Sequence, residues 1–273
     1  MKRLIVLTIF LSLVAGCTDE TEQLETFAPI VEAEDQTTEG NVDNEYTHIS
    51  DEQLVKTAIQ AMKKWESYSS IYERSAKEHP ELDEYITNYE LKFVEVNNQV
   101  YIKYSDNYFG GQYELTGNLQ EGSYIKDEYG SNTWEITTVS LQRPKINDVV
   151  ADLLQVIVDE HDTFERKDIG NAQAVINISK SFGSFETIST LLAQEMKERQ
   201  LYGTPTDSID SIQYRLYPIT NLALDLYTKD NFVTGYRLLV DFDIEMEETG
   251  LLIIEEAFES INDLTDIPLP NEI

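Results

Sequence analysis

From Ser50 onward the chain switches between two hydrophobic periods. Leu54, Val55, Ala58, Ile59, Met62 and Trp65 recur at helical spacing, which predicts one amphipathic helix of about four turns. Ser50 with Gln53 forms a capping pair at its start, and Asp51 and Glu52 suit the positive end of its dipole. The period then falls to two. Tyr89, Leu91 and Phe93 alternate with Glu90 and Lys92, and beyond Asn97-Asn98 the residues Val100, Ile102 and Tyr104 alternate with Tyr101 and Lys103. This is a hairpin signature. Shorter strand-like runs over 112–119, 123–127 and 133–139, separated by Gly110-Gly111, Glu121-Gly122 and Gly130-Ser131, extend it into a meander.

A second helix is expected from a cap at Asn147, with Val149, Val150, Leu153, Leu154, Ile157 and Val158 on its apolar face. Strands over 164–169 and 173–179 flank Gly170-Asn171. Ser184 then caps a third helix carrying Phe185, Ile188, Leu191, Leu192 and Met196, which Gly203 and Pro205 end. Four strands close the chain, over 211–217, 222–227, 233–244 and 251–260. In the third of these Tyr236, Leu238, Val240, Phe242 and Ile244 oppose Arg237, Asp241 and Asp243, with Leu239 breaking the alternation. About ten strands and three helices predict an α+β fold, one large curved antiparallel sheet with helices on one face.

The N-terminus follows other rules. Lys2 and Arg3 precede an apolar run from Leu4 to Val14, the layout of an export signal, and the run is too short for the ~20 residues that span a bilayer. Val14-Ala15-Gly16-Cys17 resembles the lipobox of bacterial lipoproteins and contains the only cysteine of the chain. This implies a signal over 1–16, a lipidated Cys17 opening the segment 17–49, and a single domain over 50–273. A diacylglyceryl group on Cys17 would anchor the protein stably, since two acyl chains hold where one is marginal. The stretch from Thr18 to Ile49 carries ten carboxylates and no lysine or arginine. It reads as a disordered acidic tether with a reach of about 30 Å.

Charge narrows the partners. The 273 residues hold 20 lysines and arginines against 51 aspartates and glutamates, a net charge of −31, which excludes nucleic acid as a partner. Loss of the signal, with its two cations and no acid, would deepen this to −33. An acidic body of this kind is repelled by an anionic bilayer and stands off from it, while a cationic protein or wall component would be attracted.

Chemistry is sparsely marked. One cysteine and three scattered histidines, His48, His79 and His161, supply no recognisable metal set. Asp241, Asp243, Glu245 and Glu247 alternate along a strand, but the sixth and twelfth positions counted from Asp241 are Met246 and Leu252, so the calcium-loop pattern fails and a solvated face is expected. No G-x-S-x-G, H-E-x-x-H or G-x-x-x-x-G-K motif occurs. No metal, no cofactor and no catalytic residue is therefore expected.

The layout as a whole resembles the LolA-like lipoproteins. The resemblance rests on the lipobox, the acidic leash, the helix leading through Trp65-Glu66-Ser67-Tyr68 into a strand, the meander with Tyr101-Ile102-Lys103 and Trp134, the mid-chain helices, and a closing strand that leads to Ile267-Pro268-Leu269-Pro270. It covers about Ser50 to Pro270 and includes LolA-type carriers, mycobacterial lipid-carrying lipoproteins and uncharacterised lipoproteins of Gram-positive bacteria. It implies an incomplete antiparallel β-barrel wrapped on about three helices, with an apolar cavity that holds acyl chains. Lipidation and acidity set this chain apart from the soluble carriers. Tyr89, Leu91, Phe93, Tyr104, Trp134, Leu216, Leu238, Val240 and Phe242 are the expected cavity liners. The expected protein is a non-catalytic lipoprotein, anchored on the extracytoplasmic face of a bacterial membrane, that binds a lipid or other hydrophobic ligand. An envelope interaction module with an acidic surface and no ligand is the alternative, and a wall hydrolase using Asp243 or Glu245 the remote one.

Overall fold

The computed structural model describes residues 49–77, 85–107, 112–118, 122–127, 133–137, 146–201, 218–244, 248–268 and 270. The strand expected over 211–217, the helix stop at Gly203 and Pro205, and Glu245 and Glu247 lie outside the described residues.

Three helices are described. Helix α1 (Asp51–Met62) begins as the capping pair requires, with the Gln53 amide donating to Ser50 Oγ at 3.2 Å. Its Val55, Ala58, Ile59 and Met62 are buried. Helix α2 (Ile146–Asp159) buries residues almost all round, as befits an element packed between others. It starts at Ile146, so Asn147 sits in its first turn and is not the cap the sequence suggested. Helix α3 (Glu186–Leu201) follows Ser184, whose Oγ accepts the Glu186 amide at 3.2 Å. Helix α2 packs against both other helices, α1 rests on a strand of the second half of the chain (β10 below), and α2 touches β8.

All described strands join one antiparallel sheet of eleven, in keeping with the ten or so expected: β1 (Ser67–Lys77), β2 (Tyr85–Val94), β3 (Gln99–Asp106), β4 (Gln112–Asn118), β5 (Gly122–Asp127), β6 (Glu135–Thr137), β7 (Thr163–Gly170), β8 (Gln173–Lys180), β9 (Ile219–Lys229), β10 (Phe232–Ile244) and β11 (Glu248–Glu259). Their order is β6-β5-β4-β3-β2-β1-β11-β10-β9-β8-β7. The sheet is thus two meanders, each running outward from the centre, where β1 pairs with β11 from Ser69 opposite Glu259 to Lys77 opposite Leu251. Because β6 and β7 are the two ends and do not pair, the sheet stays open, as the expected half-barrel does. The central strand, β1, is the one that alternation did not mark and only the resemblance implied, through the step from Trp65 to Tyr68.

Turn chemistry sets the hairpins. Asp230 and Asn231 join β9 to β10 with φ of 50° and 65°, the left-handed pair that a tight two-residue hairpin demands. Asn98, at φ 51°, completes the β2–β3 turn.

Alternation sorts the side chains into two faces. The inner face carries Tyr68 and Tyr72 of β1, Tyr89, Leu91 and Phe93 of β2, Val100 and Ile102 of β3, Leu115 of β4, and Leu238 and Val240 of β10, all buried in one apolar core with the helices. The outer face carries charge, including Glu90, Lys103, Glu114 and Lys126 opposite one another on β2 to β5. Asp241 and Asp243 lie on this face too, and Asp243 is exposed. Leu239 faces Ile253 there, which accounts for its break in the pattern.

Beyond β11 the chain crosses the ends of β1 and β3. The Glu66 amide donates to Asn262 Oδ1 at 2.9 Å and the Asn262 amide to the Ser67 carbonyl at 2.7 Å. Gln99 then grips buried Ile267 twice, accepting its amide at 3.0 Å and donating to its carbonyl at 3.2 Å. Beneath this strap Trp65 packs edge-on against Phe258, with centroids 5.1 Å apart. One end of the inner face is therefore covered.

Candidate functional site

Register builds a single line of side chains across the inner face. Opposite Tyr72 stand Tyr89 on β2 and Glu256 on β11; Tyr104 and Tyr113 continue the line on β3 and β4, and Tyr236 on β10. The four tyrosines of β1 to β4 touch in sequence, with centroid separations of 5.6, 5.1 and 5.0 Å. Such tilted and offset contacts suit aromatic rings. Exposure rises along the row: Tyr72 is 1 % exposed and Tyr89 6 %, while Tyr104 and Tyr113 are half-buried.

The buried end of the row meets charge. Helix α3 presents Ile188, Leu192 and Met196 to the core, and on the adjoining stripe it presents Glu195 and Arg199, which are 0 % and 2 % exposed. Arg199 bonds Glu195 through Nε and donates from Nη2 to Glu256 Oε2 at 2.6 Å. Tyr236 donates its hydroxyl to the same oxygen at 3.1 Å. The guanidinium also stacks on the Tyr72 ring.

Burial and charge act together on these groups. Burial alone would pull Arg199 down, but Glu256 and then Glu195 outweigh it and hold the guanidinium charged, well above its ordinary value. Burial pushes the Glu195 carboxyl up, and Arg199 offsets only part of that rise. Burial likewise holds Tyr72 and Tyr236 well above the usual phenol range, reinforced by Glu195 at the first and by Glu256 at the second. The cluster can offer acceptor oxygens and a compensated cation.

Of the liners expected from sequence, Tyr89, Leu91 and Phe93 lie buried on the inner face of β2, and Tyr104 lies half-buried beside Tyr89. Leu238, Val240 and Phe242 are buried on β10, the strand on which α1 rests. Trp134 is half-buried just before β6. Leu216 lies outside the described residues. Sequence reasoning missed Glu195, Arg199 and Glu256. The signal was present: Glu195 follows Ile188 by seven residues and Arg199 follows Leu192 by seven, so both fall on the apolar stripe of α3, and Glu256 takes the inward parity between Ile254 and Phe258.

Among the described residues no group of three or more histidine, cysteine, aspartate or glutamate side chains is placed to hold a metal ion, and no helix is long and apolar enough to cross a membrane.

No protein-family model matches the chain, and no curated protein matches it significantly. Among solved structures, LprF from Mycobacterium bovis aligns with 80 % of this chain and 96 % of its own, at 10 % identity and a TM-score of 0.44. The LolA superfamily protein NE2245 from Nitrosomonas europaea aligns with 79 % of this chain and 93 % of its own, at 7 % identity and a TM-score of 0.27. Likenesses this distant bear on neither ligand nor activity.

Proposed function

We propose that this chain is a non-catalytic lipoprotein, anchored through diacylated Cys17 on the extracytoplasmic face of a bacterial membrane, that holds a lipid or other hydrophobic ligand against the inner face of its half-barrel. The observation that carries this reading is the tyrosine row. An aromatic floor that passes from fully buried at Tyr72 to half-buried at Tyr104 and Tyr113 continues the core outward to where an apolar guest can lie on it. Tyr89, Leu91, Phe93 and Tyr104 would form the floor, with Leu238, Val240 and Phe242 of β10 as the back wall; Trp134 and Leu216 are retained as liners from the sequence. Extracytoplasmic placement follows from the signal and lipobox, and the acidic tether would hold the domain off an anionic surface.

The test is native mass spectrometry of the mature chain carrying Cys17→Ser, so that no anchor lipid is counted. Co-purifying lipid, or uptake of added fatty amphiphile at one equivalent, is the expected result. A clean apo mass that stays unchanged on adding amphiphile would refute the reading. It would leave the interaction module, whose binding to a cationic partner should collapse at high salt.

A further inference from the structure

An antiparallel sheet with one solvated face ordinarily turns apolar residues inward and polar or charged ones outward. The outer face departs from this along one line. Val175 of β8, Tyr227 of β9, Gly235 of β10, Ala257 of β11 and Ile71 of β1 stand directly opposite one another, so five adjacent strands contribute no charge there. Phe232 adjoins them, because it faces Lys229, which shares the face of Tyr227 two residues further along β9. Ile71 is 57 % exposed and Phe232 44 %, while Val175, Tyr227 and Ala257 are half-buried. Gly235 and Ala257 are small and lie low between Tyr227 and Ile71, which makes the line a shallow groove about 20 Å long at ~4.8 Å between strands. Single apolar residues on a surface mean little, whereas a continuous patch marks a contact.

The two rims of the groove differ in charge. On one side the next outward row reads Asp225, Arg237, Glu255 and Glu73, with Arg237 paired to Glu255 at 2.6 Å, so carboxylates outnumber the cation. On the other side Lys229 and Glu259 balance. The acidic rim acts on the groove wall itself: burial and then Asp225 raise the Tyr227 phenol above its ordinary value.

We propose that this groove docks an amphipathic helix of a partner protein, whose apolar stripe lies along the groove and whose lysines or arginines meet Asp225, Glu255 and Glu73. Every strand that forms the groove is already paired on both sides, so no backbone edge is offered and the partner binds through side chains. A helix does this without leaving its own amides unsatisfied. A net charge of −31 on each chain opposes a second copy as the occupant, and the same charge opposes an anionic bilayer. The groove lies on the side of the sheet away from the helices and the tyrosine row, so it stands whether or not the inner face holds a lipid.

The probe is a helical peptide of about 14 leucines and lysines at amphipathic spacing, long enough to span the groove, titrated into the mature Cys17→Ser chain by fluorescence anisotropy. It should bind at low salt and weaken as salt screens the rim, and a version with glutamate in place of lysine should not bind. Ile71→Ser with Phe232→Ser should weaken binding about tenfold. Asp225→Asn with Glu255→Gln should do so as well and flatten the salt dependence, whereas Asp148→Asn with Glu186→Gln, exposed acids of the helices, should change nothing. The first two variants alter surface side chains on different rows, so either one carries the test if the other does not fold. Absence of binding, binding untouched by Ile71→Ser with Phe232→Ser, or equal weakening by the two acid pairs would reduce the effect to overall charge and overturn the groove. A dimer in native mass spectrometry that Ile71→Ser abolishes would give the groove to a second copy and overturn the proposal likewise.

Discussion

The guanidinium carbon of Arg199 lies 3.7 Å from the centroid of the Tyr72 ring. This contact fixes the last turn of α3 to the central strand and places a permanent cation at the buried end of the tyrosine row. Helix and sheet are thus joined by charge at the middle of the molecule, amid an otherwise apolar core.

Arg199→Met should be severely destabilising, because it leaves Glu195 and Glu256 buried without a counter-charge; breaking a buried ionic group from one side costs about 3 to 5 kcal/mol. Replacing all three, as Arg199→Met with Glu195→Leu and Glu256→Leu, should restore much of that loss. Urea denaturation midpoints of the two variants make the comparison. A triple variant no more stable than the single one would show that the cluster does more than balance its own charge.

Glu195 makes stability depend on pH in one direction. Burial raises its folded carboxyl above the unfolded value, so the folded chain binds its proton more tightly. The associated stability is complete below the ordinary carboxylate range and is lost as pH rises through the elevated folded value. Glu195→Gln lacks this term. The stability of the variant relative to the native chain should therefore climb as pH rises from the ordinary carboxylate range through the elevated folded value, as read from denaturant midpoints across that series.

Asp162 acts with the opposite sign. It accepts the Ser181 amide at 2.5 Å and the Phe182 amide at 3.1 Å, bonds that lower its carboxyl against the smaller effect of burial. Its contribution is present above the ordinary range and disappears as pH falls through the lowered value. Asp162→Asn should be less stable than the native chain at neutral pH and match it in acid, where both side chains are uncharged.

Gly235→Ala probes the close approach of β10 to β11. A Cβ at this position would come 2.7 Å from the Glu256 carbonyl oxygen, which belongs to the backbone and cannot swing aside. Overpacking of this kind costs about 1 to 3 kcal/mol. A midpoint equal to that of the native chain would show that the two strands separate more freely than their pairing implies.

Gln99→Leu tests the strap. It removes both hydrogen bonds to Ile267 and leaves the side-chain volume nearly unchanged. Amide exchange at Ile267 should accelerate at least tenfold, in keeping with about 1 kcal/mol for each bond, while exchange in β10 stays slow.

Where one face of an element is apolar throughout, the sequence disclosed it. Helix α1 with its Ser50 cap, the β2–β3 hairpin and the alternation of β10 all followed from spacing. Strand β1 was implied only by the resemblance and not by alternation, because its central place in the sheet is paired with a polar composition. Ser67, Ser70 and Ser75 occupy buried positions, and the apolar Ile71 points outward at 57 % exposure. The charged cluster was hidden for a related reason. Glutamate and arginine on a helix read as a solvated face until the sheet that covers them is known, and Glu256 finds its counter-charge, Arg199, 57 residues away in sequence. The ladder of tyrosines depends on strand register, which alternation alone leaves open.

The pairing of β1 with β11 also governs when the molecule can be finished. The first strand must wait for the last, so the central hydrogen bonds form only after nearly the whole polypeptide has been synthesised. Each lateral meander can assemble early from neighbouring segments, whereas their union requires closing a loop of almost two hundred residues, an entropically slow step. A polypeptide with this wiring keeps its centre unpaired until β11 is available to β1.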